Sequence, residues 1–369
     1  MNNSTLVTRP LFPSLDEYTE QLKEIWSSQW LSNNGQKHQQ LEVELKEYLD
    51  ASNISLFNNG TIALLVAIQS LRLQGEVITT PFTFPATTHV LAWNNLTPVF
   101  CDIDYERMTI DYKQIEKLIT AKTTAILGVH VYGVPCHVEE IQDIADRHGL
   151  KVIYDSAHAF STVVNGRPIA AYGDISMFSF HPTKLFHTGE GGALVFNDIH
   201  LKQRIEYLKN FGIKNENEVV LPGINGKMGE LQAAMGLKVL PLVKEEQSKR
   251  AKLREYYTNK LAEIGGVSIV KLPQGATNSE QYFCIRLKGG DEIRQKIYDA
   301  LKEHHIFSRK YFYPLISDYP CYANLPSAQH GKLPVAKKVA QEVLCLPFYG
   351  DLDFSIVDQI AEIIAKHVA

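Results

Sequence analysis

From about residue 60 the chain alternates short β-rich runs with longer stretches whose apolar residues fall three and four apart, a pattern that few folds accommodate. Strand–helix–strand order produces a mostly parallel sheet covered by helices and joined by right-handed crossovers. The strand candidates are Val77–Thr80, Val99–Asp102, Thr124–Val129, Lys151–Asp155, Ile175–Phe180 and Gly192–Phe196. Between them Thr61–Leu73, Ala86–Trp93, Tyr112–Leu118 and Val138–His148 carry the one-sided apolar spacing of surface helices. Only about twenty residues separate Asp155 from Ile175, without a helical pattern, and an antiparallel insertion is expected there.

At roughly 150 residues per domain, 369 residues predict two large units. Helices are expected over Met228–Leu242 and Glu245–Ile264, strands near Ser268–Val270 and Tyr282–Leu287, and further helices at Glu292–His304 and Val335–Val343. The expected division is a large α/β domain over 1–240 and a smaller α+β domain over 241–369.

The balance of 37 Lys+Arg against 41 Asp+Glu leaves a formal charge of −4, with no basic excess for a nucleic-acid backbone or an anionic membrane. No apolar run approaches the length needed to cross a bilayer, and Met1–Tyr18 lacks the layout of a signal peptide. Five scattered cysteines, none in a C-x-x-C pair, fit neither a disulfide framework nor a zinc site and point to a reducing, cytoplasmic compartment. The thirteen histidines form no ligand set at metal spacing, so no metal is expected.

Four segments carry possible chemistry. Ser179-Phe180-His181-Pro182-Thr183-Lys184 puts a lysine just after a buried-looking strand, where desolvation lowers its pKa and suits it to nucleophilic work. Asp155 closes the strand Lys151–Asp155, at the sheet edge where α/β folds hold ligands, and His158 follows three residues on. Gly60 and Thr61 open a helical run, where free amides and the helix dipole attract a phosphate. Phe82 and Phe84 follow a strand end and can stack on a planar group. Taken singly, each also reads as ordinary structure: a loop lysine, a capping aspartate, an N-cap and core aromatics.

Taken in order along one α/β domain, these segments compose a pyridoxal phosphate site. The chain resembles the DegT/DnrJ/EryC1/StrS family of nucleotide-sugar aminotransferases, from Trp30-Leu31-Ser32-Asn33-Asn34-Gly35 to Leu346-Pro347-Phe348-Tyr349, most specifically in SFHPTK…GEGG at Ser179–Gly192. The resemblance implies the aspartate aminotransferase-like fold type I of the pyridoxal 5′-phosphate enzymes. It implies that Lys184 is the catalytic, Schiff-base lysine, that Asp155 pairs with the ring nitrogen, that Phe84 stacks on the ring and that His158 lies near the phenolic oxygen. Gly60, Thr61, Ile62 and Ser179 are implied to bind the phosphate. Asn225, in a loop that matches the family's G-[YF]-N-x-[RK]-[ML] apart from Ile224, is implied to reach the phosphate of a neighbouring subunit, with Lys227 beside it as a suitable positive charge. A homodimer with shared sites, L-glutamate as amino donor and a keto-deoxy nucleotide sugar as acceptor follow from the same resemblance.

The Trp-Leu-x-Asn-Asn-Gly opening and the Tyr-Asp-x-Ala-His-Ala-Phe stretch most resemble the branch that aminates C4 of dTDP-4-keto-6-deoxyglucose for O-antigen sugars. The chain departs from the family in having His158 where glutamine is frequent, and Leu185-Phe186-His187 where Asn-Leu-Thr is frequent, the latter touching the expected sugar recognition. The rival readings are a C3 aminotransferase and a non-catalytic sensor on the same fold; a 3-dehydratase would resemble this chain with histidine in place of Lys184.

Overall fold

The structure is a computed structural model that describes residues 4–368. The chain begins with helices α1 (Leu15–Ser28) and α2 (Gln36–Tyr48), then enters strand β1 (Asn53–Phe57). There follow α3 (Gly60–Ser70), β2 (Glu76–Thr79), α4 (Pro85–Trp93), β3 (Thr97–Phe100), the short α5 (Tyr112–Ile115), β4 (Thr123–Val129), α6 (Val138–His148) and β5 (Lys151–Asp155). A two-stranded hairpin of β6 (Val163–Val164) and β7 (Arg167–Pro168) precedes β8 (Ile175–Ser179) and β9 (Gly192–Phe196).

The main sheet has seven strands in the order β1-β9-β8-β5-β4-β2-β3. Five neighbours, β3, β2, β4, β5 and β8, run parallel, whereas β9 pairs antiparallel with both β8 and β1. The antiparallel member is therefore β9; the β6–β7 hairpin between Asp155 and Ile175 stands outside the sheet. Side-chain alternation builds a core on each face. Ala125, Leu127 and Ile153 pack toward α3 and α4, with Leu64, Ala67, Val90 and Leu91. Ile126, Val152 and Tyr154 pack on the other face against Leu41 and Leu45 of α2 and Ile141, Ile144 and Ala145 of α6.

After β9 come α7 (His200–Leu208), an exposed hairpin of β10 (Ile213–Asn215) and β11 (Glu218–Val219), α8 (Glu230–Val239) and α9 (Val243–Leu261). Residue 240, where we propose the division into two units, lies in a single 3-10 turn between α8 and α9. Beyond it β12 (Val267–Ile269), β13 (Phe283–Leu287) and β14 (Val343–Leu346) form a three-stranded antiparallel sheet, with α10 (Gly290–Glu303), α11 (Pro334–Glu342) and α12 (Phe354–Val368). One face of this sheet buries Phe283, Ile285 and Leu344 against Leu253 and Tyr257 of α9 and Ile360 of α12. The other face joins Cys284, Cys345, Tyr282 and Phe312 to Phe82, Val129 and Tyr132 at the ends of the large-sheet strands. That joint brings the smaller sheet to the edge of the cavity described below. Cys284 and Cys345 face each other directly across β13 and β14, with Sγ atoms 2.9 Å apart, a pairing their wide separation in sequence conceals. Thr5 bridges to Ile306 and Val7 accepts from Phe348 N–H, so the chain start packs with the C-terminal unit. Among the described residues no helix is long and apolar enough to cross a membrane.

Candidate active site

In a parallel sheet the loops after the strands gather at one edge. Here the ends of β1, β2, β4, β5 and β8 enclose a cavity of about 510 Å³ that is lined by Gly60, Thr61, Phe84, Asp155, His158, Ser179 and Lys184 among others. The sequence places these seven residues in four separate segments; the fold brings them to one space.

Asp155 ends the central strand β5, is 5 % exposed, and accepts hydrogen bonds from Thr87 Oγ1 at 2.8 Å and Ala157 N at 3.1 Å. Thr83 Oγ1 in turn lies 2.8 Å from Thr87 Oγ1, which fixes the acid through α4. Burial pushes the Asp155 carboxyl up, while the bonds from Thr87 and Ala157 and the charge of Lys184 pull the other way. A buried carboxylate held by two neutral donors is one cation short, and a protonated ring nitrogen meets that need.

His158 Nδ1 accepts the Tyr132 amide at 3.1 Å. Burial, and then the nearby charge of Lys184, holds its pKa well below the ordinary value, so the ring is neutral and its proton sits on Nε2. Histidine thus still offers a donor where the family often has glutamine. The ring lies parallel to those of Tyr132 and Phe312, at centroid distances of 6.5 and 5.9 Å, and edge-on to Tyr282 at 4.9 Å. Tyr282 and Phe312, with Tyr311, line the cavity beside it. The sequence reading did not find Tyr282, Tyr311 or Phe312, although Tyr311-Phe312-Tyr313 is a dense aromatic run.

Lys184 lies in the loop between β8 and β9, closed by Lys184 N to His181 O at 2.8 Å and Phe180 N to Gly191 O at 2.8 Å. The residue is half-buried, with its stem lining the cavity. Burial lowers the ammonium to about 8, against the opposing pull of Asp155. His181 and Glu190 flank it on the cavity wall, Nε2 to Oε1 being 3.8 Å.

The N-terminus of α3 supplies the opposite end. Asn59 caps it, Oδ1 accepting Ile62 N–H at 2.8 Å, so the cap consumes the Ile62 amide and leaves those of Gly60 and Thr61 as the first-turn donors. Glycine at 60 lets the helix start pass close to β8: a Cβ there would lie 3.0 Å from Met177 Sδ and 3.1 Å from Ser179 Cβ, a tight fit that those side chains would have to yield to. That close approach sets the helix start against Ser179 at the end of β8. Phe84, at the N-cap of α4, is 58 % exposed at the cavity, an apolar face open to a planar ligand.

Asn225 and Lys227 do not line the cavity of their own chain. Lys227 Nζ donates to Asn210 Oδ1 at 2.9 Å and sits 4.9 Å over the Phe211 ring, while Asn225 pairs through its backbone with Asn210. Leu185-Phe186-His187 is structural: the first two side chains are fully buried, and His187 Nε2 donates to Leu11 O at 2.7 Å, tying down the N-terminal segment. None of the three lines the cavity of this chain.

Comparison with known proteins gives the same picture over the whole length. The chain is 47 % identical to a dTDP-4-amino-4,6-dideoxy-D-glucose transaminase from Escherichia coli, over 99 % of both chains. It is 43 % identical to a transaminase of the same description from Shigella dysenteriae, over 99 % of this chain and 100 % of the other. A crystal structure of DesI in the presence of its TDP-sugar product superimposes with a TM-score of 0.94 at 33 % identity, covering 99 % of this chain and 93 % of that one. The family model for DegT/DnrJ/EryC1/StrS aminotransferases matches residues 14–365, with Lys184, Asp155 and the helix start at Gly60 all inside the matched span, and the chain belongs to that family of sugar aminotransferases.

Proposed function

We propose that the chain is a pyridoxal 5′-phosphate-dependent enzyme that moves the amino group of L-glutamate to C4 of dTDP-4-keto-6-deoxyglucose, giving dTDP-4-amino-4,6-dideoxyglucose for a cell-surface polysaccharide. The observation that carries the reading is the Lys184 amine, lowered to about 8, in one cavity with the buried, cation-deficient Asp155. The full-length identity to two transaminases named for that product supports the sugar and the position.

The residues fit the cofactor. The close approach at Gly60 sets two first-turn amides and the Ser179 hydroxyl together as a phosphate cradle, and Asp155 is the acid a pyridinium nitrogen requires. His158 Nε2–H would donate to the phenolic oxygen, and Phe84 would cover a ring face. When bound, pyridoxal phosphate supplies the electron sink for the carbanion at the reacting carbon. Lys184 Nζ would take the proton from the amino-bearing carbon of L-glutamate as that carbon becomes a ketone, and would deliver one to the sugar carbon that receives the nitrogen, a role that needs an amine free near neutrality. Tyr282, Tyr311 and Phe312 line one side of the same cavity and present an apolar wall there.

The test incubates the purified protein with L-glutamate and either dTDP-4-keto-6-deoxyglucose or its 3-keto isomer, and identifies the aminated sugar by mass spectrometry and NMR. Amination of the 4-keto sugar, lost by about 10²–10⁴-fold or more in Lys184→Ala, is expected. Amination of the 3-keto isomer alone moves the assignment to C3. Binding of cofactor without any glutamate-dependent spectral change makes the protein a sensor.

A further inference from the structure

Gln281 lies two residues before β13 and is 1 % exposed. Its side-chain amide spans the active-site lysine: Oε1 accepts Leu185 N–H at 2.8 Å, and Nε2 donates to Thr183 O at 2.9 Å. Thr183 O belongs to the peptide unit before Lys184, and Leu185 N to the unit after it. One planar side chain therefore holds both peptide units that meet at the Lys184 Cα, and with them the two soft backbone dihedrals that aim the lysine.

The segment bearing Gln281 is itself held from both sides. On one side Arg254 of α9 donates to Glu280 Oε2 and to Tyr282 O, each at 2.7 Å, and the buried Arg250 donates to Glu280 O at 3.2 Å. On the other side Ser279 Oγ donates to His158 O at 2.8 Å. A Cβ at Gly133 would lie 2.8 Å from that same His158 oxygen, so glycine keeps this approach open. Tyr282 packs edge-on to the His158 ring, and the Lys184 ammonium lies 5.9 Å from the Tyr282 centroid. Glu280 takes a positive φ of 56°, which turns the chain between the two flanking contacts of Ser279 and Gln281. Ser279, Gln281 and Tyr282, in the segment that leads into β13, thus touch His158 or Lys184, or the backbone that carries them, while Glu280 between them anchors the segment to α9.

We propose that Gln281 is the positioning residue for Lys184, fixing the reach and the desolvation of its amine through the two flanking peptide units. The inference rests on the reading of Lys184 as the proton-moving amine. Gln281 does not itself line the cavity, so it acts through the lysine and not on substrate.

Gln281→Met keeps length and volume but makes neither bond. In cofactor-free protein, acetic anhydride modifies only the uncharged amine, so the pH midpoint of Lys184 acetylation, read by mass spectrometry, reports its ammonium. The wild-type midpoint should lie near 8, and that of Gln281→Met should move upward toward the ordinary 10.5, because a released lysine regains water. In the loaded enzyme kcat should fall about 10- to 100-fold with KM for glutamate changed less than about threefold, as expected when alignment and not binding is lost. Gln281→Glu is the conservative control: protonated, its carboxyl offers the same acceptor and donor, and ionised it loses the donor to Thr183 O. Its rate relative to wild type should therefore be highest at acid pH and decline as pH rises.

A folded Gln281→Met with wild-type labelling midpoint and kcat, and only a lower melting temperature, would make Gln281 a packing residue and overturn the proposal. If Gln281→Met does not fold, a pH-independent rate ratio for Gln281→Glu overturns it. Borohydride trapping of the cofactor followed by peptide mapping separates the two levels of failure. A label on another lysine defeats the reading of the site, whereas a label on Lys184 with wild-type Gln281 variants defeats only this inference.

Discussion

Asp155 and Lys184 share one electrostatic problem, since each is moved from its ordinary value by burial and each is opposed by the other's charge. Asp155 raises the Lys184 pKa by stabilising the ammonium, so removing that negative charge must lower it. We predict that in cofactor-free Asp155→Asn the acetylation midpoint of Lys184 falls below the wild-type value of about 8, while the amide keeps an acceptor for Thr87 and preserves the fold. Turnover of the loaded variant should nevertheless drop by roughly 10²-fold or more, because a neutral amide does not hold a ring cation. An unchanged or raised midpoint would show that Asp155 does not sense Lys184, and near-wild-type turnover would return it to a structural cap. These two residues, with His158, Phe84 and Gly60, stood out in the sequence because each sits at a helix start or within a few residues of a strand end, where local pattern defines the position. Tyr282, Phe312 and Gln281 were not, because they reach the site from a second sheet across a packed joint that no local spacing encodes.

The proposed phosphate cradle follows β1, an edge strand, and α7 fastens that strand by an ionic cluster. Glu206 of α7 accepts from Ser55 Oγ at 2.7 Å and pairs with Lys209 and Lys202 at 2.8 and 3.2 Å. Burial pushes its carboxyl up, but Lys209 and Lys202 outweigh that and bring it from 4.5 down to about 2. A carboxylate depressed in the folded state contributes stability that is complete above its unfolded value, near 4.5, and is lost as pH falls through about 2. Denaturant unfolding of wild type and Glu206→Gln should therefore differ by a constant amount from pH 5 to 7, and the gap should close below pH 4.5. A gap that persists unchanged at low pH would mean that the bond geometry and not the charge matters. The strand itself, Asn53–Phe57, escaped the sequence reading because it precedes the regular alternation. The reversed sense of β9 escaped because direction is set by pairing partners and not by composition. Two omissions had signals on the page: the Ser14…Glu17 capping box of α1, and Val357, Ile360, Ala361 and Ile364 at helical spacing in α12.

At the scale of the whole molecule, Asn225 and Lys227 are the residues that one chain leaves without a place in its own cavity. They sit beside Phe211, next to the β10–β11 hairpin, where Phe211, Ile213, Val219 and Val220 are 49, 41, 66 and 42 % exposed. An apolar face of that kind next to an amide and an ammonium suits burial against a second copy, with the polar pair delivered to a phosphate there. We therefore propose a homodimer whose sites are built from both chains, and it makes a prediction that a single-chain site does not. Mix inactive Lys184→Ala with inactive Asn225→Ala, Lys227→Ala under conditions that exchange subunits. In the heterodimer one cavity keeps Lys184 and receives Asn225 and Lys227 from the Lys184→Ala chain, while the other cavity collects all three changes. With random exchange at equal concentrations half the dimers are mixed and each has one intact site of two, so activity should recover to about a quarter of wild type after subtraction of each parent's background. A single-chain site predicts no recovery at any mixing ratio. Exchange verified by native mass spectrometry with no regained activity, or full activity in a monomeric fraction, would overturn the shared site and leave the Gly223–Lys227 loop as a turn that leads into α8.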